Sequence, residues 1–275
     1  MKVFKQLLDF YINSSIHVAL AVYALTWITL IKFNINYDET ILYFNFYATI
    51  TGYNFVKYFG VAKWHHRSLA KWLKIIQVFS LVCFLLMCYY TYKLELKTLV
   101  VIAGFGVVTF LYAIPFLPKN WYLDTQQNLR DISGLKVYVI ALVWSGVTVA
   151  LPLINNKVNF NADAVLMVLQ NFILVIVLML PFEIRDLRYD SLKLATIPQK
   201  IGVRHTKILG LILLLVFYLL EYFKDDTLTN YYLIQLVVCI ILGLFLIFSN
   251  QKRSTYYTTF WVEAIPIFWL LLMFF

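Results

Sequence analysis

Apolar positions along the chain gather into long runs, and the charged positions fall in the short stretches between them. Runs long enough to cross a bilayer predict nine membrane-spanning helices. They cover roughly 14–31, 41–59, 73–92, 98–116, 135–154, 164–182, 207–223, 231–249 and 257–275. The start of the chain has a different pattern. Val3, Phe4, Leu7, Leu8 and Tyr11 share one helical face, with Lys2, Lys5 and Asp9 elsewhere, which predicts an interfacial helix over residues 1–12. Between Ala19 and Leu30, bulky Tyr23 and Trp27 stand where a signal peptide would need small residues, so this segment is expected to stay in the protein. Short connections leave no room for a soluble domain, and residues 1–275 read as a single transmembrane helical domain of the all-α class.

Composition excludes the soluble alternative, because 62% of the residues are hydrophobic and only 13% are charged. The charges then give an orientation. With the amino terminus cytoplasmic, 18 of the 23 Lys and Arg residues fall on the cytoplasmic side, and only Lys32, Lys93, Lys97, Lys157 and Lys224 lie opposite. The net charge of +9 is therefore chiefly a topology signal, with attraction to lipid headgroups or phosphate-bearing substrates second, and no nucleic-acid partner is expected. A bacterial inner (cytoplasmic) membrane is the expected location. Cys83, Cys88 and Cys239 all fall within predicted spans and are read as packing residues.

Candidate chemistry concentrates at the end of the sixth span, in the stretch from Pro181 to Asp190. Continued as a helix, it places Glu183, Asp186 and Asp190 on one face at spacings of three and four. Like charges there repel unless a cation sits between them, and a hard divalent ion such as Mg2+ suits such oxygen ligands. The competing reading is an ordinary cytoplasmic helix end, with Asp190 paired to Lys193 and the arginines solvated. Asn54, near the end of the second span, is polar at a depth where it needs partners. It is followed by Lys57, Lys63, His65, His66, Arg67, Lys71 and Lys74, interleaved with Trp64 and Trp72. That cluster fits either a positive-inside flank or a phosphate grip. Arg130 and Lys136 lie in the connection leading into the fifth span, and Thr196 to Gly202 reads as a loop. Glu263, inside the ninth span near Pro266, is an intramembrane carboxylate with no partner identifiable from the sequence.

These features together resemble the UbiA superfamily of intramembrane prenyltransferases, over nearly the whole chain. That family has nine transmembrane helices, with Asp-rich motifs at the cytoplasmic ends of helices two and six. Here Arg185-Asp186-x-x-x-Asp190, followed by Thr196, Pro198 and Gly202, is similar to the second motif and its tail. Leu111-Tyr112-Ala113-Ile114-Pro115 is similar to the signature after helix four, and Gly134-Leu135-Lys136 to Trp144 to the beginning of helix five. The first motif departs from the pattern. Asn54 is kept, but Phe55, Lys57 and Tyr58 occupy the region where acids are expected, and the spacer from Asp190 to Thr196 is a residue short.

The resemblance implies a nine-helix UbiA-like bundle that moves a prenyl group from a polyprenyl diphosphate to a lipophilic acceptor within the membrane. It implies Mg2+ as cofactor, held by Asp186 and Asp190, with Asn54 as the surviving member of the first motif. Lys57, Lys63, Arg67, Arg130, Lys136 and Arg185 are the candidate diphosphate contacts. Lys57, with His65 or His66, is expected to supply positive charge where the first metal would have been. The alternative is a non-catalytic relative that binds a lipid or quinone-like ligand or serves as a subunit with a membrane-protein partner. A transporter is not favoured, since no internal repeat or pair of broken mid-membrane helices is evident.

Overall fold

The computed structural model describes residues 2–64, 71–113, 134–189, 195–225 and 229–275. Regular structure among them is helical throughout. The amphipathic helix α1 (Lys2–Asn13) is followed after two residues by α2 (Ile16–Lys32). The chain turns by 58° between them, with Ser15 in the left-handed region at φ 65°. Phe4 and Leu7 on α1 stay exposed, as an interfacial helix requires. Next come α3 (Glu39–Trp64), α4 (Lys71–Tyr92), α5 (Leu96–Ala113), α6 (Leu135–Asn155) and α7 (Ala162–Asp186). The chain finishes with α8 (Ile197–Phe223), α9 (Thr229–Ile247) and α10 (Tyr257–Leu272).

Helices α2 to α10 overlie the nine apolar runs in order. Four of the described helices are long and apolar enough to cross a bilayer, namely Leu73–Tyr92 and the whole of α6, α7 and α8, and the bent pair α1–α2 passes as one further unit. Leu81, Leu85, Leu211, Leu215, Ile240 and Leu244 stand exposed on the helix surfaces. Apolar bands of that extent have their place against lipid rather than water. This is an integral membrane protein.

Packing follows from which faces are apolar on both sides. Helix α7 lies against α6 and α8, α8 against α9, and α10 returns to α2, which also carries α3. The core filled between them includes Leu25, Ile28, Leu174, Val177, Phe217, Leu242 and Trp269. Two helices loosen into π-turns, at Gly146–Ala150 in α6 and at Tyr257–Val262 in α10. The α6 turn is braced by neighbours: Asn45 donates to the Val147 carbonyl at 3.0 Å and Asn171 to Thr148 Oγ1 at 3.0 Å. Gly146 lets Phe105 approach so closely that a Cβ there would lie 1.9 Å from the ring's Cζ. Gly146→Ala should therefore destabilise the protein by about 1–3 kcal/mol despite its better helix propensity, since a ring must be displaced. Thermal unfolding in detergent checks this, and Phe105→Leu should relieve it.

One expectation is corrected. Thr196 to Gly202 is not a loop but the first turns of α8. The Thr196 N–H donates to Gln199 Oε1 at 3.0 Å, and Pro198 occupies the first turn, where a missing N–H costs nothing. Gly202, at φ 77°, then kinks the helix.

The end of the bundle where α2 and α8 finish is closed by a buried ionic node. Glu221 accepts from Lys32 at 2.5 Å and from Lys224 at 2.8 Å, and all three side chains are almost wholly buried. Gln170 donates at 2.9 Å to Oε2, the carboxylate oxygen that also holds Lys224. Where α8 tightens to a 3-10 turn at Leu220–Phe223, the Phe217 carbonyl is left to the amides of Gln170 and Gln235.

Candidate functional site

The candidate residues gather at the other end of α2, about 25 Å from the ionic node at 1.5 Å per helical residue. The turn at Ser14–Ser15 organises it. Asn54 on α3 is buried and fully engaged, donating to the Ser14 carbonyl at 3.0 Å and to Ser80 Oγ at 2.7 Å while accepting from Ser15 Oγ at 2.8 Å. Ser15 Oγ in turn accepts from Lys57 Nζ at 2.8 Å. Lys57 is one helical turn beyond Asn54 and is exposed along much of its length, so its ammonium is fixed by the serine while the stem stays open. The carboxamide oxygen that a metal would need is thus occupied, and an ammonium stands beside it. At this position the residues do not fit a metal ion.

Across the bundle, the end of α7 separates the carboxylates expected to share a face. Glu183 is buried and turns to the beginning of α8, accepting from the Ile197 N–H at 3.2 Å. Asp186 is held instead by its own neighbour: Arg185 Nε and Nη2 lie 2.7 and 3.0 Å from its two oxygens. The third guanidinium nitrogen donates to Thr258 in the π-turn of α10. Glu183 and Asp186 therefore have separate partners. Asp190, Arg67, Arg130, His65 and His66 lie outside the described residues, as does the side chain of Lys63. Lys136 sits half-buried in the first turn of α6, with no partner from the site among the described residues. Among the described residues no three His, Cys, Asp or Glu side chains stand together as metal ligands.

Between α3, α6, α7 and α10 lies a cavity of about 30 Å3 lined by Tyr53, Trp144, Val175, Leu178, Met179, Phe182, Glu263 and Pro266. Trp144 Nε1 donates to Tyr53 Oη at 3.0 Å, locking two of the aromatic walls together. Glu263 follows the π-turn directly, and its N–H reaches back to the Thr258 carbonyl at 3.2 Å. Among the described residues, Lys57 and Arg185 are the cations within electrostatic reach of its carboxylate. Helix α1 closes over this region from the interface. Tyr11 Oη bonds His17 Nδ1 at 2.7 Å, His17 Nε2 bonds the Phe260 carbonyl at 2.8 Å, and Tyr256 donates to Asp9. Burial, with the charge of Glu263 nearby, holds the Tyr11 phenol above its ordinary range.

Sequence reasoning singled out Lys57 and Arg185, and Glu263 lies within electrostatic reach of both. It missed Ser15, Tyr53 and Thr258. The polar pair Ser14-Ser15 between an amphipathic and an apolar helix was a visible signal; Tyr53 and Thr258 carried none.

The helical architecture is similar to that of a solved membrane-protein structure. The solved structure that carries this likeness is of digeranylgeranylglyceryl phosphate synthase, which matches over 99% of this chain and 97% of its own with a TM-score of 0.54 at 14% identity. No family model and no curated protein matches the sequence. At that identity the likeness concerns the fold alone.

Proposed function

We propose that the protein transfers a prenyl group from a polyprenyl diphosphate to an acceptor held within a nine-span bundle whose amino terminus is cytoplasmic. The observation that supports this reading is that Lys57 and Arg185 both lie within electrostatic reach of Glu263, which lines a cavity walled by Tyr53, Trp144 and Phe182. Breaking an allylic C–O bond leaves negative charge on the departing diphosphate and positive charge on the prenyl carbon. Fixed cations stabilise the first and ring quadrupoles the second.

Mg2+ is proposed as cofactor at the α7 end only. That ion is commonly bound by one or two carboxylates completed by substrate phosphates and water, so Asp186 and Asp190 suit it without a third protein ligand. When bound it would supply further neutralisation of the leaving group. At the α3 end Lys57 takes the place of a second ion. A non-catalytic lipid-binding role is the second reading, favoured by the engagement of both Asp186 oxygens with Arg185.

Binding of geranylgeranyl diphosphate to purified protein, with and without Mg2+, separates the two. Wild type should bind in a Mg2+-dependent manner. Asp186→Ala should lose that dependence, and Lys57→Ala should weaken binding by roughly 10- to 100-fold, the worth of a charge-assisted hydrogen bond. Folded protein that binds no diphosphate under either condition would reject prenyl transfer.

A further inference from the structure

We infer that Glu263 is the base that accepts the proton of the acceptor hydroxyl, and that the acceptor presents a neutral alcohol or phenol rather than an anion at its reacting end. This rests on the prenyl-transfer reading and adds to it the residue and the acceptor chemistry.

Buried carboxylates in this protein have partners. Glu183 caps α8 through the Ile197 N–H, and Glu221 holds two lysines and Gln170. Glu263 is half-buried and lines the cavity, and among the described residues its carboxylate accepts no hydrogen bond and makes no close ion pair. An acceptor group left so on the wall of an aromatic cavity calls for a donor that arrives with a ligand. The space beside it, about 30 Å3, has room for one water-sized group, which is the size of a hydroxyl. Tyr53 Oη accepts from Trp144, so its own proton can be directed to the oxygen that Glu263 deprotonates. Met179, unbranched and adaptable, is the lining residue best able to yield to the body of the acceptor.

Placement ties this carboxylate to the reacting bond. The groups facing it are Lys57 from α3, Arg185 from α7, Tyr11 from α1 and Tyr53 from α3. Two of these are the cations proposed to hold the diphosphate, so a hydroxyl on Glu263 lies next to the leaving group. In the transfer, the allylic C–O bond breaks and its electron pair leaves with diphosphate. A lone pair of the acceptor oxygen forms the new C–O bond, and the acceptor proton passes to Glu263 and from there to water. A negatively charged acceptor oxygen would have no proton to give and would be repelled by the same carboxylate.

The test uses full-length protein in nanodiscs with geranylgeranyl diphosphate and a series of para-substituted phenols, from weakly acidic phenols to nitrophenol, which is already ionised at slightly alkaline pH. Glu263→Gln should bind the diphosphate at least as tightly as wild type, since a negative charge beside its cations is removed, and should lose transfer to the weakly acidic phenols by about 100-fold or more. Transfer to nitrophenol should fall far less, since no base is needed. On wild-type protein, a weakly acidic phenol should also protect Glu263 from modification by dicyclohexylcarbodiimide, a readout that does not depend on the variant folding. Equal transfer by Glu263→Gln and wild type, a loss that is uniform across the phenols, or modification unaffected by phenol overturns the assignment while leaving prenyl transfer intact. Wild type that neither binds the diphosphate nor prenylates any phenol overturns both.

Discussion

Replacing Glu221 by Gln should lower stability by about 3–5 kcal/mol, because it leaves Lys32 and Lys224 buried without their anion. Both lysine side chains are only 6% exposed and the carboxylate between them is fully buried, so water cannot replace it. The rings of Tyr231 and Trp269, 5.7 and 5.4 Å from Lys32 Nζ, supply partial compensation but no charge. In thermal unfolding followed by tryptophan fluorescence, the midpoint should fall by roughly 10 °C. The deficit should shrink as pH rises. Burial already pushes the Lys224 ammonium below its ordinary value. Between the folded and unfolded values the unfolded chain therefore binds the extra proton, and stability climbs with pH through that window. Replacing both lysines by Met together with Glu221→Leu should restore most of the loss, since an apolar set of similar volume needs no compensation. A Glu221→Gln protein within 1 kcal/mol of wild type would show that water reaches the node.

Arg185→Leu should reduce prenyl transfer by about 10²- to 10³-fold, the usual cost of removing one donor aimed at developing negative charge. The guanidinium faces Asp186 with two nitrogens and Thr258 with the third, so its plane is fixed by α7 and α10 together. Such a preorganised fork can pass from the carboxylate to a diphosphate without reorganising its own side chain. Arg185→Lys should recover only a small part of the rate, because an ammonium restores the charge and not the fork. Single-turnover transfer together with diphosphate binding measures both effects. Should Arg185→Leu turn over like wild type, the guanidinium serves only to neutralise Asp186.

The parts of this site that were legible in the sequence are those whose chemistry is local. The charges following Phe182 and the polar Asn54 stand out because a membrane span tolerates neither without a reason. Partner choice was not legible. Glu183 and Asp186 are one turn apart on α7, yet one caps the next helix and the other binds the adjacent arginine, because α8 begins earlier than hydropathy alone suggests. The π-turns were equally hidden. Gly146 and Tyr257 sit in ordinary apolar surroundings, and what holds the turns open is cross-bundle donation from Asn45, Asn171, His17 and Arg185.

By itself the sequence determined that this is an all-helical membrane protein, where its apolar runs lie, and that an amphipathic helix precedes them, since hydrophobic length and periodicity are properties of consecutive residues. Only the tertiary structure decided that Ser15 joins Lys57 to Asn54, that a lysine pair is locked on Glu221, and that Glu263 faces an aromatic cavity with no hydrogen-bond partner among the described residues. Each of these depends on residues tens to hundreds of positions apart, and buried polar groups choose partners by proximity in the packed bundle rather than along the chain.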